Sequence, residues 1–358
     1  MTSKERVLAA ISHIQPDRTP IEVVFAPEVF DKLKHHLAMD EKELWQWVGQ
    51  DVLRFLPTFP DKVSEKRYAD PTIEVTDDGL YLDVFRVPFR ETTTAFQTYM
   101  ELAGQPPLRH CSGLDELAAF PWPTAEMWDY SNILPGIEAR PDVAAIGRSR
   151  GFFEISHFVR GMDNFMVDLA LAEDFACALM DRIADYLLEV TRRALEEAKG
   201  RYLLYEYNDD VAHQYGLMIS PQMWRRLIKP RMARFCDLIH SHGAKVKYHS
   251  CGSVYEIIPD LIEIGVDVLN PIQALAKDMD PFSLKKEFGD RLCFDGGIDI
   301  QDLLPNASAD HLRRHVRRMI DVVGKNGGYI LGGSHALQAD TPVENVTAMI
   351  EEAKTARP

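Results

Sequence analysis

The sequence predicts an α/β protein: a single (β/α)8 TIM-type barrel over residues 1–358, carrying a β-hairpin flap and a loop-rich insertion. Three observations lead there. Eight short apolar runs rich in β-branched residues recur along the chain. Most are separated by segments whose apolar residues stand three and four apart, as on one face of a helix. At 358 residues the chain can also bury one large core. Apolar strands alternating with helices make a parallel sheet covered on both faces, and closing that sheet into a barrel is the economical arrangement for this length. An open doubly wound sheet is the alternative.

The opening MTSKERVLAAISHIQPDRTP mixes Lys4, Glu5 and Arg6 as a helix face does and lacks the continuous apolar core of a secretory signal, so a cytoplasmic location is expected. Strands are predicted at 19–25 (TPIEVVF) and 51–56 (DVLRFL). Residues 72–88 alternate around Asp78-Gly79, a hairpin signal, and make the flap. From Gly104 to Pro141 the chain is broken by Pro106, Pro107, Pro121, Pro123 and Pro135 and reads as a loop-rich excursion. Strands resume at 142–148, 201–207, 244–250, 265–271, 291–297 and 327–333, with long helices over 165–198 and 221–242. Thr341-Pro342-Val343-Glu344 is expected to open the final helix as a capping box.

The formal charge of −15 argues against nucleic acid or an anionic membrane as partner. No apolar run approaches the roughly 20 residues that a membrane span needs. Five scattered cysteines fit a reducing compartment better than a disulfide framework, so a cysteine with a task is expected to be a ligand or a nucleophile.

Barrel active sites lie where strands end and the following loops begin. At one such place the chain reads KVKYHSCGS, Lys245 to Ser253. His249 and Cys251 stand two apart, the spacing that puts side chains on one face of a strand, and Gly252 lets the backbone turn away. Imidazole with thiolate suits zinc. The plainer alternative packs Cys251 as a small hydrophobe and bonds His249 to a carbonyl. A catalytic zinc needs a third protein ligand. His335 follows the last predicted strand, while Glu206, Asp209, Asp210 and His213 end or follow the strand at 201–207. Asp209 or Asp210 equally suits a helix cap. Asp295 and Asp299 flank Gly296-Gly297, where either a ligand's close approach or a tight turn accounts for the glycines.

Four segments carry a family resemblance: RVLAAISHIQPDRTPIEV from Arg6, GLMISPQMWRRLIKPRMARFCDLIHSHGAKVKYHSCGSVYEIIPDLIEIGVDVLNPIQ from Gly216, FDGGIDIQDLLP from Phe294, and GGYILGGSHALQADTPVENVTAMIEEA from Gly327. They resemble the uroporphyrinogen decarboxylase superfamily and, more closely, its branch of corrinoid-dependent methyltransferases and demethylases. The likeness spans nearly the whole chain, and HSCGS is the element specific to that branch. It implies one barrel, with zinc held by His249 and Cys251 and completed by His335 or Glu206. It also implies methyl transfer between a small methylated substrate and a corrinoid carried by a partner protein. Asp209 or Asp210 would orient the substrate or transfer a proton, with His213, Asp295 and Asp299 as substrate contacts. Homodimers are common in the superfamily.

Members of the branch that activate a thiol supply a second cysteine near the last strand, where this chain has Ser334-His335. Imidazole or carboxylate in place of thiolate leaves a stronger Lewis acid, which favours an oxygen-bearing substrate. Two other functions are weighed: metal-free uroporphyrinogen decarboxylation, and a silent barrel serving as a binding module. Decarboxylases of the superfamily supply arginines just after the first strand, and IEVVFAPEVFDKLKHH from Ile21 to His36 has none. The mouth is therefore expected to suit a small or apolar ligand. Arg86, Arg90, Arg148 and Arg150 are left as candidate anion contacts, although ordinary ion pairing explains them as well.

Overall fold

The computed structural model describes residues 1–94 and 98–357. In chain order its strands are β1 (Val52–Arg54), β2 (Thr72–Val75), β3 (Tyr81–Asp83), β4 (Pro88–Thr93), β5 (Thr98–Leu102), β6 (Ala144–Arg150), β7 (Leu204–Asn208), β8 (Ala212–His213), β9 (Gly216–Leu217), β10 (Lys245–His249), β11 (Val268–Ile272), β12 (Cys293–Ile298) and β13 (Tyr329–Gly333). Seven of them form one parallel, curled sheet in the order β1-β6-β7-β10-β11-β12-β13. All seven fall on runs predicted as strands.

The run at 19–25 makes no ladder. Pro20 has no N–H to give, and side chains take the donors that a neighbouring strand would have met. Ile21 N–H donates to Asp51 Oδ2 at 2.8 Å and Val23 N–H to Gln50 Oε1 at 3.0 Å. Arg6 and Arg18 pair with the same Asp51 carboxylate at 2.6 and 2.7 Å, which neutralises a fully buried charge. The segment still lies between the two sheet edges: Glu22 N–H donates to Leu331 O and Asp51 N–H donates to Ile21 O, each at 2.9 Å.

Strand alternation sorts the interior into layers. Val52, Ala144, Ile146, Leu204, Val268, Cys293 and Ile330 gather with Val7 and Ile11 into one small apolar cluster. Residues one place along, such as Ala145, Tyr205, Val246, Leu269 and Phe294, belong to the large cluster shared with the helices. The helix Ser3–Ile11, begun by a capping box on Thr2 and Glu5, packs on β1, β6 and β13 and closes the apolar end. Two residues further along the same inward rows the chain places charge, and two further again it places the site.

The predicted hairpin forms, with β2 antiparallel to β3, and extends through β4 and β5 into a four-stranded sheet. Within the insertion, short helices occupy Leu114–Ala119 and Ile133–Glu138. Both long helices are broken: one at Ala172, into Met162–Leu171 and Glu173–Glu197, the other at Ile228, just before Pro230, into Pro221–Leu227 and Lys229–Ser241. The expected capping box at 341–344 is absent. Pro342 occupies the cap of the helix Val343–Thr355, and no side chain caps it. Among the described residues no helix is long and apolar enough to cross a membrane.

Candidate metal centre and adjoining cavity

At the carboxyl ends of β7 and β10, the ligand atoms of Asp210, His249 and Cys251 all lie within 4.8 Å of one another. His249 Nε2 stands 3.8 Å from Cys251 Sγ and 3.9 Å from Asp210 Oδ1. Strand alternation alone does not bring them together, because β10 ends at His249. The turn after it does. Cys251 N–H donates to Asp210 Oδ1 at 2.8 Å, tying the strand end to the neighbouring loop. Gly252 has φ +85°, and a Cβ there would stand 2.7 Å from the backbone N and O of His213. Only glycine lets the turn pack that closely and still carry Cys251 inward.

The donor set fits a metal ion. Ligands at roughly 2.0–2.3 Å from a tetrahedral ion stand roughly 3.3–3.8 Å apart, so small movements bring these three atoms to bonding positions. His249 is already presented correctly. Its Nδ1 lies 2.5 Å from Asn270 Oδ1, an atom that only accepts, so Nδ1 carries the proton and the Nε2 lone pair faces Asp210 and Cys251. Burial lowers the pKa of His249 and keeps the ring neutral, as a ligand must be. Burial, and then the charges of Asp210 and Glu154, push the Cys251 thiol up, so without a cation it holds its proton.

Beneath this cluster lies a layer of charge. Cross-strand register sets Arg148 of β6 and Lys247 of β10 on either side of Glu206 of β7. Glu206 receives Arg54 at 3.0 Å and Arg148 Nε at 3.1 Å, with Lys247 Nζ at 3.6 Å. Lys247, fully buried, pairs with Glu22 at 2.8 Å and Asp295 at 2.5 Å. Burial by itself would raise the pKa of Glu206, but Arg54, Lys247 and Arg148 outweigh it and hold the group ionised. Asp295 is pushed up to about 7, because burial and the charges of Glu22 and Glu206 outweigh Lys247. The mouth is therefore charged, which does not suit an apolar ligand, one half of the expectation of a small or apolar ligand drawn from the 21–36 segment. Its cations come from β1, β6 and β10 instead of from the loop after the first strand.

A cavity of about 350 Å³ joins the two layers, lined by Arg54, Arg148, Glu206, His249, Asp295 and His335 among others. The remaining sequence candidates separate around it. Glu206 and His335 line the cavity but stand outside the three-residue cluster, Glu206 because three cations engage its carboxylate and His335 because it sits exposed at the rim after β13. Asp209 is wholly buried. Its carboxylate accepts from the N–H groups of Phe153 and Glu154 and from the Tyr207 hydroxyl, which makes it an anchor for the helix Phe152–Arg160. Gly151 permits this, since a Cβ there would meet the carboxylate at 1.9 Å. His213 is exposed and accepts from Tyr215 N–H at its Nδ1. Asp299 accepts from the N–H groups of Gln301, Asp302 and Leu303, a turn anchor set apart from the cavity. Asn270 was missed by sequence reasoning, and its only signal was a polar residue at the end of the strand run before Pro271.

The profile of the uroporphyrinogen decarboxylase (URO-D) family matches residues 136–356, which include every member of the cluster. The uroporphyrinogen decarboxylase of Thermus thermophilus is 27% identical over 176 residues, 49% of this chain and 48% of that protein. The methylated-thiol–coenzyme M methyltransferase of Methanosarcina mazei is 21% identical over 203 residues, 56% of this chain and 50% of that protein. The chain thus spans about half the length of the curated relatives it matches. A solved methyltransferase from Methanosarcina mazei superposes with a TM-score of 0.68 at 16% identity, covering 99% of this chain and 98% of that one, which shows a shared fold. By its matched profile, and with a curled parallel sheet that carries its polar groups at the strand ends, this chain belongs to the uroporphyrinogen decarboxylase family.

Proposed function

We propose that the chain is a zinc-dependent methyltransferase that moves a methyl group from a small O-methyl substrate to a cobalt(I) corrinoid on a partner protein. The observation that carries this is the convergence of Asp210 and Cys251 on His249, which itself lines the cavity. A zinc ion held there would supply Lewis acidity toward the substrate's ether oxygen. One thiolate beside a carboxylate and an imidazole makes a harder site than two thiolates, which supports oxygen over sulfur in the leaving group. The corrinoid would supply the acceptor for the methyl group, and the C–O electron pair left on oxygen would then take a proton. Asp295 in the floor and His335 at the rim line the cavity and are the candidates to give it. Asn270 orients His249, and the Cys251 N–H orients Asp210.

Decarboxylation of uroporphyrinogen fits less well. An octacarboxylate entering this cavity would face Glu22, Glu206 and Asp295 as well as the cations. The test is elemental analysis of chelator-free protein, followed by methylation of a cobalt(I) corrinoid protein from methoxy donors. One zinc per chain and appearance of methylcobalt are expected. A metal-free protein that converts uroporphyrinogen to coproporphyrinogen would overturn the proposal.

A further inference from the structure

Five arginines were placed by sequence or structure as candidate anion contacts, and the structure leaves one of them in the cavity with its fork free. Arg150 is committed to Asp70 and Glu154, Arg86 to Glu74, and Arg54 to Glu22 and Glu206. Arg90 lies exposed on β4, away from the cavity. Arg148 differs from all of them. Its Nε pairs with Glu206 Oε1 at 3.1 Å, and among the described residues its two terminal nitrogens have no partner. The side chain keeps 36% of its surface exposed and lines two cavities at once: the one beside His249 and a neighbouring one of about 380 Å³ bounded by Phe59, Trp128 and Tyr186.

We infer that Arg148 is the anion-binding residue of the substrate site, and that the methylated substrate carries a carboxylate which its guanidinium fork grips. The inference rests on the proposed methyl transfer for the other end of the substrate, which faces Asp210, His249 and Cys251. Glu206 Oε1 stands 3.1 Å from Nε as a charge partner that closes no hydrogen bond, while Arg54 and Lys247 occupy the second oxygen of the same carboxylate. The two outer nitrogens of the planar guanidinium lie side by side, the geometry that meets both oxygens of a carboxylate. Lys247 is spent on Glu22 and Asp295, and Arg54 turns its Nη2 onto Glu22 and Glu206, so Arg148 is the cation of this layer whose two terminal nitrogens are both without a partner among the described residues. β6 and β10 both flank β7, so the substrate need only reach across one strand from Arg148 to His249. That distance suits a short chain with an acid at one end and a methoxy group at the other.

The test is calorimetric titration of the metal-loaded full chain with methoxyacetate and methoxypropionate, each against its uncharged amide. Propionate, with no methyl to give, reports the anion contact alone. Wild type should bind each acid at least about tenfold more tightly than its amide, as a charge-assisted pair predicts. Arg148→Gln should erase that preference, and Arg148→Lys should keep part of it, because an ammonium retains the charge but not the fork. Equal binding of acid and amide by wild type, or an acid preference that survives in Arg148→Gln, overturns the inference. Metal content and melting temperature of both variants, matched to wild type, show that the fold and the metal centre were not what changed. Acid preference without methyl transfer leaves Arg148 as assigned and removes the methyltransferase. Methyl transfer from neutral ethers as readily as from acids does the reverse.

Discussion

Two layers on the inner face of the curled sheet, two residues apart along its strands, gather ionisable side chains to opposite ends. In the lower layer Glu22, Glu206 and Asp295 interleave with Arg54, Lys247 and Arg148, and the charges largely satisfy one another. In the upper layer Asp210, His249 and Cys251 turn lone pairs toward a common point, with Asn270 behind the histidine. The difference is in what each layer lacks. Removing a member of the lower layer strands a buried charge, whereas removing a member of the upper layer removes a candidate metal ligand and leaves no buried charge unpaired. Stability should report on the first and metal affinity on the second.

The largest effect is expected for Lys247→Met. It leaves Glu22 and Asp295 without their ammonium in a fully buried site and should cost about 3–5 kcal/mol in denaturant unfolding. A loss below about 1 kcal/mol would erase the distinction between the layers. Next comes Cys251→Ser, expected to weaken zinc binding by at least about a hundredfold in a competition assay against a chelator. The metal-free variant should unfold within about 1 kcal/mol of metal-free wild type, since no buried charge is orphaned.

His157 offers a third case, a buried ionisable group packed on Phe153 and Phe158 with no hydrogen-bond partner for its Nε2 among the described residues. Its Nε2 is unbonded, and burial, then the charge of Arg150, depresses its pKa to about 4. The unfolded chain takes up the proton near pH 6.5. Stability is therefore full above that pH and is lost as pH falls toward 4, by roughly 2 kcal/mol at pH 5. His157→Phe should flatten that part of the stability–pH curve by the same amount. An unchanged slope between pH 7.5 and pH 5 would mean that the ring is solvated or paired.

Smaller again is Asn270→Ala, which frees the His249 ring and should cost about tenfold in zinc affinity without moving the fold. His335→Ala should leave zinc stoichiometry unchanged, because His335 stands outside the cluster. Loss of metal in that variant would bring His335 into the coordination sphere and break the assignment of Asp210.

Much of this was legible along the chain. The seven sheet strands follow from β-branched runs, because local burial on both faces writes itself as local apolarity. His249 and Cys251 were visible because one ends a strand and the other lies in the turn that follows, so their separation is fixed by three consecutive residues. The hairpin at Asp78-Gly79 followed from turn chemistry in the same way. Helix continuity was less legible. Pro230 interrupts the 221–242 pattern although the apolar spacing runs through it.

What the tertiary structure alone decided were the choices between chemically equal residues. Asp209 and Asp210 are adjacent and identical, yet one is turned onto the amide groups of the helix Phe152–Arg160 and the other toward His249. Their identity does not distinguish them, since the partners that do so come from the helix after β6 and from the end of β10. Arg148 and Arg150 are two apart on one strand, and only the position of Asp70 and Glu154 determines that Arg150 is paired while the fork of Arg148 is free. The sequence by itself determined which residues could carry charge or bind metal, because side-chain chemistry is local. Which of them meet was decided by strand register across 40 or more residues, where the match depends on the whole curled sheet and leaves no periodic trace in the chain.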